Sequence, residues 1–183
     1  MLKIVNTKIP DVKIIEPNVF EDGRGWFFEA FNQKIFNQNL GSSVHFMQDN
    51  HSRSEKGVLR GLHYQKSPYE QGKLVRVIFG SIFDVAVDLR PNSETFGHWV
   101  GEHLSADNKK QLWIPAGFAH GFYTLMDNTE VLYKATNFYH KDSEASIKWN
   151  DAELNILWPL TEQPKLSKKD KESMPFFKFK ESL

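Results

Sequence analysis

Apolar and polar positions alternate in short runs along this chain, and the runs recur at close, regular spacing from residue 44 to residue 139. A period of two places successive side chains on opposite faces of an extended strand. The runs predict strands over Val44–Asn50, Val58–Gln65, Lys73–Phe79, Ser81–Asp88, His98–Leu104, Gln111–Pro115, Gly121–Leu125 and Val131–Tyr139. Gly80-Ser81 and Asp127-Asn128 mark tight turns between them, while Arg90-Pro91-Asn92-Ser93 and Ser105-Ala106-Asp107-Asn108 are polar connectors. Upstream, Val12–Phe20 predicts short strands interrupted by Pro17, Glu21–Gly25 a turn, and Trp26–Glu29 a return to extended chain.

Helical signals are few. Asn32 precedes residues 33–40 as an N-cap, and Gly41 supplies the stop, which predicts a helix of two or three turns. No strand-then-helix alternation is present, so a sandwich or barrel is expected rather than a doubly wound parallel sheet. Past Asp151 the strand signals fade, and Ser167-x-x-Asp170 has the form of a helix-starting cap. The expectation is one domain over residues 1–183: mainly β, with a short helix in the N-terminal half and a small C-terminal helical appendage packed on the sheet.

Composition changes this picture in three respects. Aromatic residues reach 14 % and include 15 Phe, which favours pleated, half-buried surfaces. With no Cys, thiol chemistry and thiolate metal sites are excluded. Lys plus Arg (23) balances Asp plus Glu (23), so no whole-molecule field attracts nucleic acid or a membrane surface, and any positive site must be local. Met1–Asn6 lacks the apolar core of a signal peptide and no apolar run is long enough to span a bilayer, so a cytoplasmic protein is expected.

One local positive site stands out. Gly57–Gln65 and the following Gln71–Val77 carry Arg60, His63 and Lys73 with no acid within either stretch, a pattern that suits an anionic ligand. Lys73, Val75, Val77 and Phe79 share one strand face, which places the ammonium at the mouth of an apolar interior or, alternatively, at a solvated strand end. Val131, Tyr133, Ala135, Asn137 and Tyr139 share another face, as site phenols or as core and rim aromatics. Arg24 at the turn tip reads by itself as a solvated charge. Arg60 and His63 differ in parity, so either Gly61 lies in a bulge or Arg60 precedes regular pairing.

Gly61-Leu62-His63 and Pro115-Ala116-Gly117-Phe118-Ala119-His120-Gly121 resemble the two signatures of the cupin superfamily, which are double-sheet jelly rolls. Metal-binding cupins carry His-x-His and a later Glu in the first signature. Here Gln65 takes the second His position, and the remaining His63 and His120 are a poor divalent donor set. The resemblance therefore implies no metal and frees the imidazoles for proton transfer.

A narrower resemblance follows from motifs in order along residues 10 to 170. They are Asp22-Gly23-Arg24-Gly25, Gln48-Asp49-Asn50, Leu59-Arg60-Gly61-Leu62-His63, Gln71-Gly72-Lys73-Leu74-Val75-Arg76-Val77, Phe83–Arg90, Ile114–Phe122, Tyr133-Lys134-Ala135-Thr136 and Leu166-Ser167-x-Lys169-Asp170. Together they resemble the dTDP-4-dehydrorhamnose 3,5-epimerases, with Gly23 standing where many relatives carry an acid. The resemblance implies a cofactor-independent isomerase acting on a dTDP-4-keto sugar as a homodimer. His63 is then the base, oriented by Asp170, with Tyr133 the acid and Lys73 the cation at the enolate oxygen. Arg24 and Arg60 hold diphosphate, Phe20 and Tyr139 sandwich thymine, and Glu29, Gln48, Asn50, His120, Glu144 and Lys169 make further substrate contacts. Phe20, Arg24 and Glu29 would serve the partner's site. A monoepimerase or ketoisomerase of the same fold, a non-catalytic cupin and a metal-dependent cupin are the alternatives. From the residues alone, Asp170 reads instead as part of the cap at Ser167. The stretch Phe176-Phe177-x-Phe179 carries no matching motif, and His45, His51, His98, His103 and His140 are assigned to structure or surface.

Overall fold

The alternating runs pair into two antiparallel sheets in the computed structural model, which describes residues 2–183. In chain order the strands are β1 (Lys3–Asn6), β2 (Lys13–Glu16), β3 (Phe20–Asp22), β4 (Gly25–Phe27), β5 (Gln48–Ser54), β6 (Leu59–Gln65), β7 (Lys73–Phe79), β8 (Ser81–Asp88), β9 (Trp99–Ser105), β10 (Gln111–Ile114), β11 (Phe118–Thr124), β12 (Thr129–Ala135) and β13 (Glu144–Ser146). One sheet has the order β1-β2-β10-β7-β12-β5 and the other β13-β6-β11-β8-β9, while β3 and β4 form a separate hairpin. This is the mainly β jelly roll that the strand pattern and the cupin resemblance predict.

The two sheets bury their facing sides against each other. Ile14, Val75, Val77, Leu112, Ile114 and Val131 of the first meet Ile82, Ala86, Val100, Leu104, Phe118 and Phe122 of the second in one cluster. Each of these residues is an alternate position of its strand, as the period of two requires. Removing a large member such as Leu112, which is fully buried, would cost about 2–5 kcal/mol.

Each sheet's outer face is also covered. Helix α1 (Gln33–Leu40) lays Phe36 on Ile15, Leu74 and Trp113, with Phe31, Val44 and Phe46 closing around it. Its ends are those the sequence predicts: Asn32 accepts the Ile35 amide in its side chain, and Gly41 closes the helix at φ 72°. On the other sheet, Leu62, Phe83, Val85, Val87 and Ala119 are covered by Ile147, Leu154, Phe176 and Phe179 from the C-terminal segment. That segment contains α2 (Lys168–Lys171), capped by Ser167, and α3 (Phe176–Glu181). Phe176 and Phe179, without a motif in the sequence, are thus the lid of the second sheet.

Several boundaries differ from the pattern. The strand predicted over Val44–Asn50 runs instead over Gln48–Ser54, because Val44 and Phe46 are used by the α1 cluster. The last long strand ends at Ala135 rather than Tyr139. Asn137 accepts the Phe138 amide in its own side chain, which turns the chain out of the sheet. Strand β11 begins three residues before Gly121, and β1 and β13 are short additions the pattern does not signal. Among the described residues, no helix is long and apolar enough to cross a membrane.

Candidate active site

The inner rows that make the core also carry its polar exceptions. Asp84 lies between Ile82 and Ala86 on β8, His120 between Phe118 and Phe122 on β11, Lys73 two residues before Val75 on β7, and Tyr133 between Val131 and Ala135 on β12. By alternation all four enter the space between the sheets. His63 joins them because it is the direct cross-strand partner of His120. The ammonium of Lys73 stands 5.8 Å from the centre of the Tyr133 ring, and the rings of His120 and Tyr133 are 6.4 Å apart.

His63 is oriented from outside the sheet. Its Nε2 donates to Oδ1 of the buried Asp170 at 2.6 Å, while Ser167 Oγ donates to Oδ2 of the same carboxylate at 2.6 Å. The Asp170 amide in turn donates to Ser167 Oγ at 3.1 Å. Both readings of Asp170 therefore hold at once: it sits in the first turn of a Ser-capped helix, and its side chain holds an imidazole. Burial pushes the Asp170 carboxyl upward, but the bonds from His63 and Ser167 outweigh this and leave it below its ordinary value.

Gly61 resolves the parity conflict. Along β6 and β11, His63 pairs with His120 and Arg60 with Phe122, so three steps on one strand face two on the other. That is a bulge. Gly61 adopts φ 137°, and an added Cβ would come within 2.5 Å of Gly121 Cα, so no other residue fits there. The bulge lets Arg60 turn toward Ser54, to whose Oγ its Nε donates at 3.1 Å, and Arg60 is close enough to oppose the rise of the Tyr133 phenol.

Burial sets the electrostatics. It lowers the Lys73 ammonium to about 8, with Asp84 and Glu144 acting the other way. It also lowers His120, against the pull of Asp84, whose Oδ1 accepts from His120 Nε2 at 2.7 Å. It raises the Tyr133 phenol, so that this side chain stays protonated at neutral pH. Among the described residues Lys73 Nζ makes no hydrogen bond or ion pair, which leaves a nearly buried cation facing the interior.

A second group gathers at the mouth. Gln48 Nε2 donates to Asn50 Oδ1 at 2.9 Å, and Gln48 Oε1 accepts the Tyr139 amide at 2.9 Å. Tyr139 Oη donates to Glu144 Oε2 at 2.8 Å, and Glu144 is also paired with Lys169. Burial works against ionisation of Glu144, but these two partners hold its carboxyl below the usual range. Gln65, at the position of a metal-binding His in other cupins, is committed to the backbone: it donates to the Tyr69 and Phe138 carbonyls and accepts the His140 amide. No group of three or more His, Asp or Glu side chains among the described residues is placed to hold a metal ion.

Three predicted site residues stand apart. Phe20 and Arg24 lie on the exposed β3–β4 hairpin, where the Arg24 side chain is 91 % exposed and pairs with Asp22 at 2.6 Å. Glu29 accepts from Asn32 Nδ2 at 3.0 Å. Among the described residues none of the three is bonded to the interior group. Asp84, by contrast, has no role assigned by the sequence motif Phe83–Arg90, yet it is bonded to the predicted site residue His120. Its signal was a charge on the apolar face of Ile82-x-Asp84-x-Ala86.

A jelly roll whose interior holds a carboxylate-oriented imidazole, a phenol and a buried ammonium has the equipment of an isomerase that works by proton transfer. The sequence profile of the dTDP-4-dehydrorhamnose 3,5-epimerases matches residues 6–178. The dTDP-4-dehydrorhamnose 3,5-epimerase of Shigella flexneri is 58 % identical over 175 residues, 96 % of each chain. Among solved structures, the dTDP-6-deoxy-D-glucose-3,5-epimerase of Legionella pneumophila in complex with dTDP-4-keto-L-rhamnose is 53 % identical, with a TM-score of 0.94 over 97 % of this chain and 94 % of that one. A 3'-monoepimerase from Streptomyces bikiniensis in complex with dTDP-quinovose is 30 % identical, with a TM-score of 0.91 over 97 % and 89 %. The chain belongs to the dTDP-4-dehydrorhamnose 3,5-epimerase family.

Proposed function

We propose that the protein converts dTDP-4-dehydro-6-deoxy-D-glucose to dTDP-4-dehydro-L-rhamnose, a step toward dTDP-L-rhamnose, by inverting the two carbons that flank the ketone. The observation that carries this is the His63–Asp170 pair in the same interior as Tyr133 and Lys73. The ketone itself makes the neighbouring C–H bonds acidic, so the protein's task is to take a proton from one face, stabilise the enolate and return a proton to the other. With Nε2 of His63 committed to Asp170, Nδ1 is the atom that accepts the proton, and Asp170 stabilises the imidazolium that results. Lys73 meets the oxyanion. Tyr133 delivers its phenolic proton to the opposite face, and the phenolate left behind is stabilised by Arg60 and Lys73 until solvent restores the proton.

The remaining residues bind the nucleotide. Arg60 and Arg24 supply planar forks for the diphosphate. Tyr139 and Phe20 enclose thymine, with Gln48, Asn50, His120, Glu144, Lys169 and Glu29 as polar contacts. Because Phe20, Arg24 and Glu29 lie away from the interior group of their own chain, the reading includes a homodimer in which each hairpin completes the partner's site. It also includes a single 1–183 domain, a cytoplasmic location and no cofactor or metal. Incubation with the 4-keto sugar nucleotide should yield the L-configured product at the same rate with and without a chelator. Activity that vanishes on chelation and returns with a divalent ion would overturn the mechanism.

The relation to a 3'-monoepimerase favours one further reading, inversion of a single carbon on the same scaffold. Product stereochemistry at both carbons separates the two.

A further inference from the structure

Strand β8 sends two carboxylates into the protein on the same face, and they are treated differently. Asp88, fully buried, accepts five hydrogen bonds: from the Arg90 amide, Nε and Nη2, from Ser93 Oγ and from Thr95 Oγ1. This is how a structural carboxylate is satisfied, and it ties the loop after β8 to the sheet. Asp84, four residues earlier and equally buried, accepts one bond, from His120 Nε2, and its Oδ2 has no partner among the described residues. A buried charge so sparsely satisfied is costly to the fold. The compensation has to come from the groups it faces.

Those groups are the chemical ones. Lys73 of β7 faces Asp84 of β8, Glu144 of β13, His120 of β11 and Tyr133 of β12. Of the two acids, Asp84 has the stronger effect on Lys73, and Glu144 is already engaged by Lys169 and Tyr139. We propose that Asp84 is a positioning residue for the epimerisation: its buried carboxylate fixes the His120 ring through Nε2 and keeps Lys73 the cation that meets the developing oxyanion. The inference rests on the function proposed above. Asp84 itself touches no reacting atom.

Asp84→Asn tests it, since the amide oxygen can still accept from His120 while the charge is removed. Two readouts are needed. The first requires no substrate: the NMR titration of the Lys73 side chain in the wild type and the variant, assigned with Lys73→Arg. Loss of the facing anion should move the Lys73 midpoint down by about one pH unit. The second is kcat against pH, where the variant should lose several-fold more activity at pH 8.5 than at pH 6.5. A purely structural role predicts the opposite combination: loss by one common factor at every pH, with an unmoved Lys73 titration. That result overturns the proposal. A wild-type protein inactive on the 4-keto sugar would refute the proposed function only, because the Lys73 titration reads the Asp84 effect independently. Thermal unfolding of the variant provides a control, a cooperative transition showing that the variant is folded under the conditions of both readouts.

Discussion

The interior group and the β3–β4 hairpin contribute to the same proposed reaction by opposite physical means. In the interior, Lys73, His120 and Tyr133 have their proton affinities set by burial and by charged neighbours such as Asp84 and Glu144, and His63 is aimed by a carboxylate from α2. Every part comes from one chain. On the hairpin all six strand residues are exposed, and among the described residues Arg24 is neutralised only by its near neighbour Asp22. Chemistry requires a prepared, dry environment and is built into the fold. Recognition of a charged nucleotide can be supplied from a surface, and in the proposed dimer that surface acts on the partner's site.

The comparison breaks most visibly at His63. His63→Ala should lower turnover by roughly 10²- to 10⁴-fold, as expected for loss of a placed general base, with KM changed far less; steady-state kinetics on the 4-keto sugar nucleotide read both. Asp170→Asn should follow in rank, because the imidazole remains but loses its charged partner. On the hairpin, Arg24→Ala should raise KM by about tenfold or more, the value of a charge-assisted bond, with a smaller change in kcat. Mixing Arg24→Ala and His63→Ala protomers sharpens the contrast. If each hairpin serves the partner, a mixed dimer holds one intact site and regains activity; if the hairpin serves its own chain, mixing restores nothing.

The smallest effect is in the pH profile. Lys73 is charged below about 8 and neutral above it, so the cation is lost on the alkaline side. kcat/KM, which reports the free enzyme, should therefore fall above about pH 8, approaching roughly tenfold per unit.

Much of this architecture was legible because alternation is a direct record of which face a strand buries. Lys73-x-Val75-x-Val77 stands out as one strand face, whereas the row Ile82-x-Asp84-x-Ala86 is opposed by an equally apolar row, Phe83-x-Val85-x-Val87, so alternation alone does not say which faces the interior. Strand β5 was harder to delimit, since Gln48, Asn50, Ser52 and Ser54 share one face and are all polar. No apolar row marks that face, so the usual signal is missing. The end of β12 was set by an asparagine side chain bonding its neighbour's amide, a local event that strand periodicity does not encode. The bulge at Gly61 was foreshadowed by parity, but its cause, the approach of Gly121 from another strand, is tertiary. Asp84 was visible as a charge on an apolar face, yet its meaning depended on facing His120 and Lys73. The roles of His63, Tyr133 and the nucleotide-binding residues came from family resemblance; what the residues themselves supplied was the suitability of each side chain.

The central claim is that one interior exchanges protons on both sides of the ketone. Incubation with the 4-keto sugar nucleotide in D₂O, followed by NMR at C3 and C5, tests it most directly. Deuterium should appear at both carbons with the wild-type protein and at neither with His63→Ala, while Tyr133→Phe should impair turnover more than exchange. Deuterium at one carbon only would make the protein a monoepimerase, and undiminished exchange in His63→Ala would contradict the account.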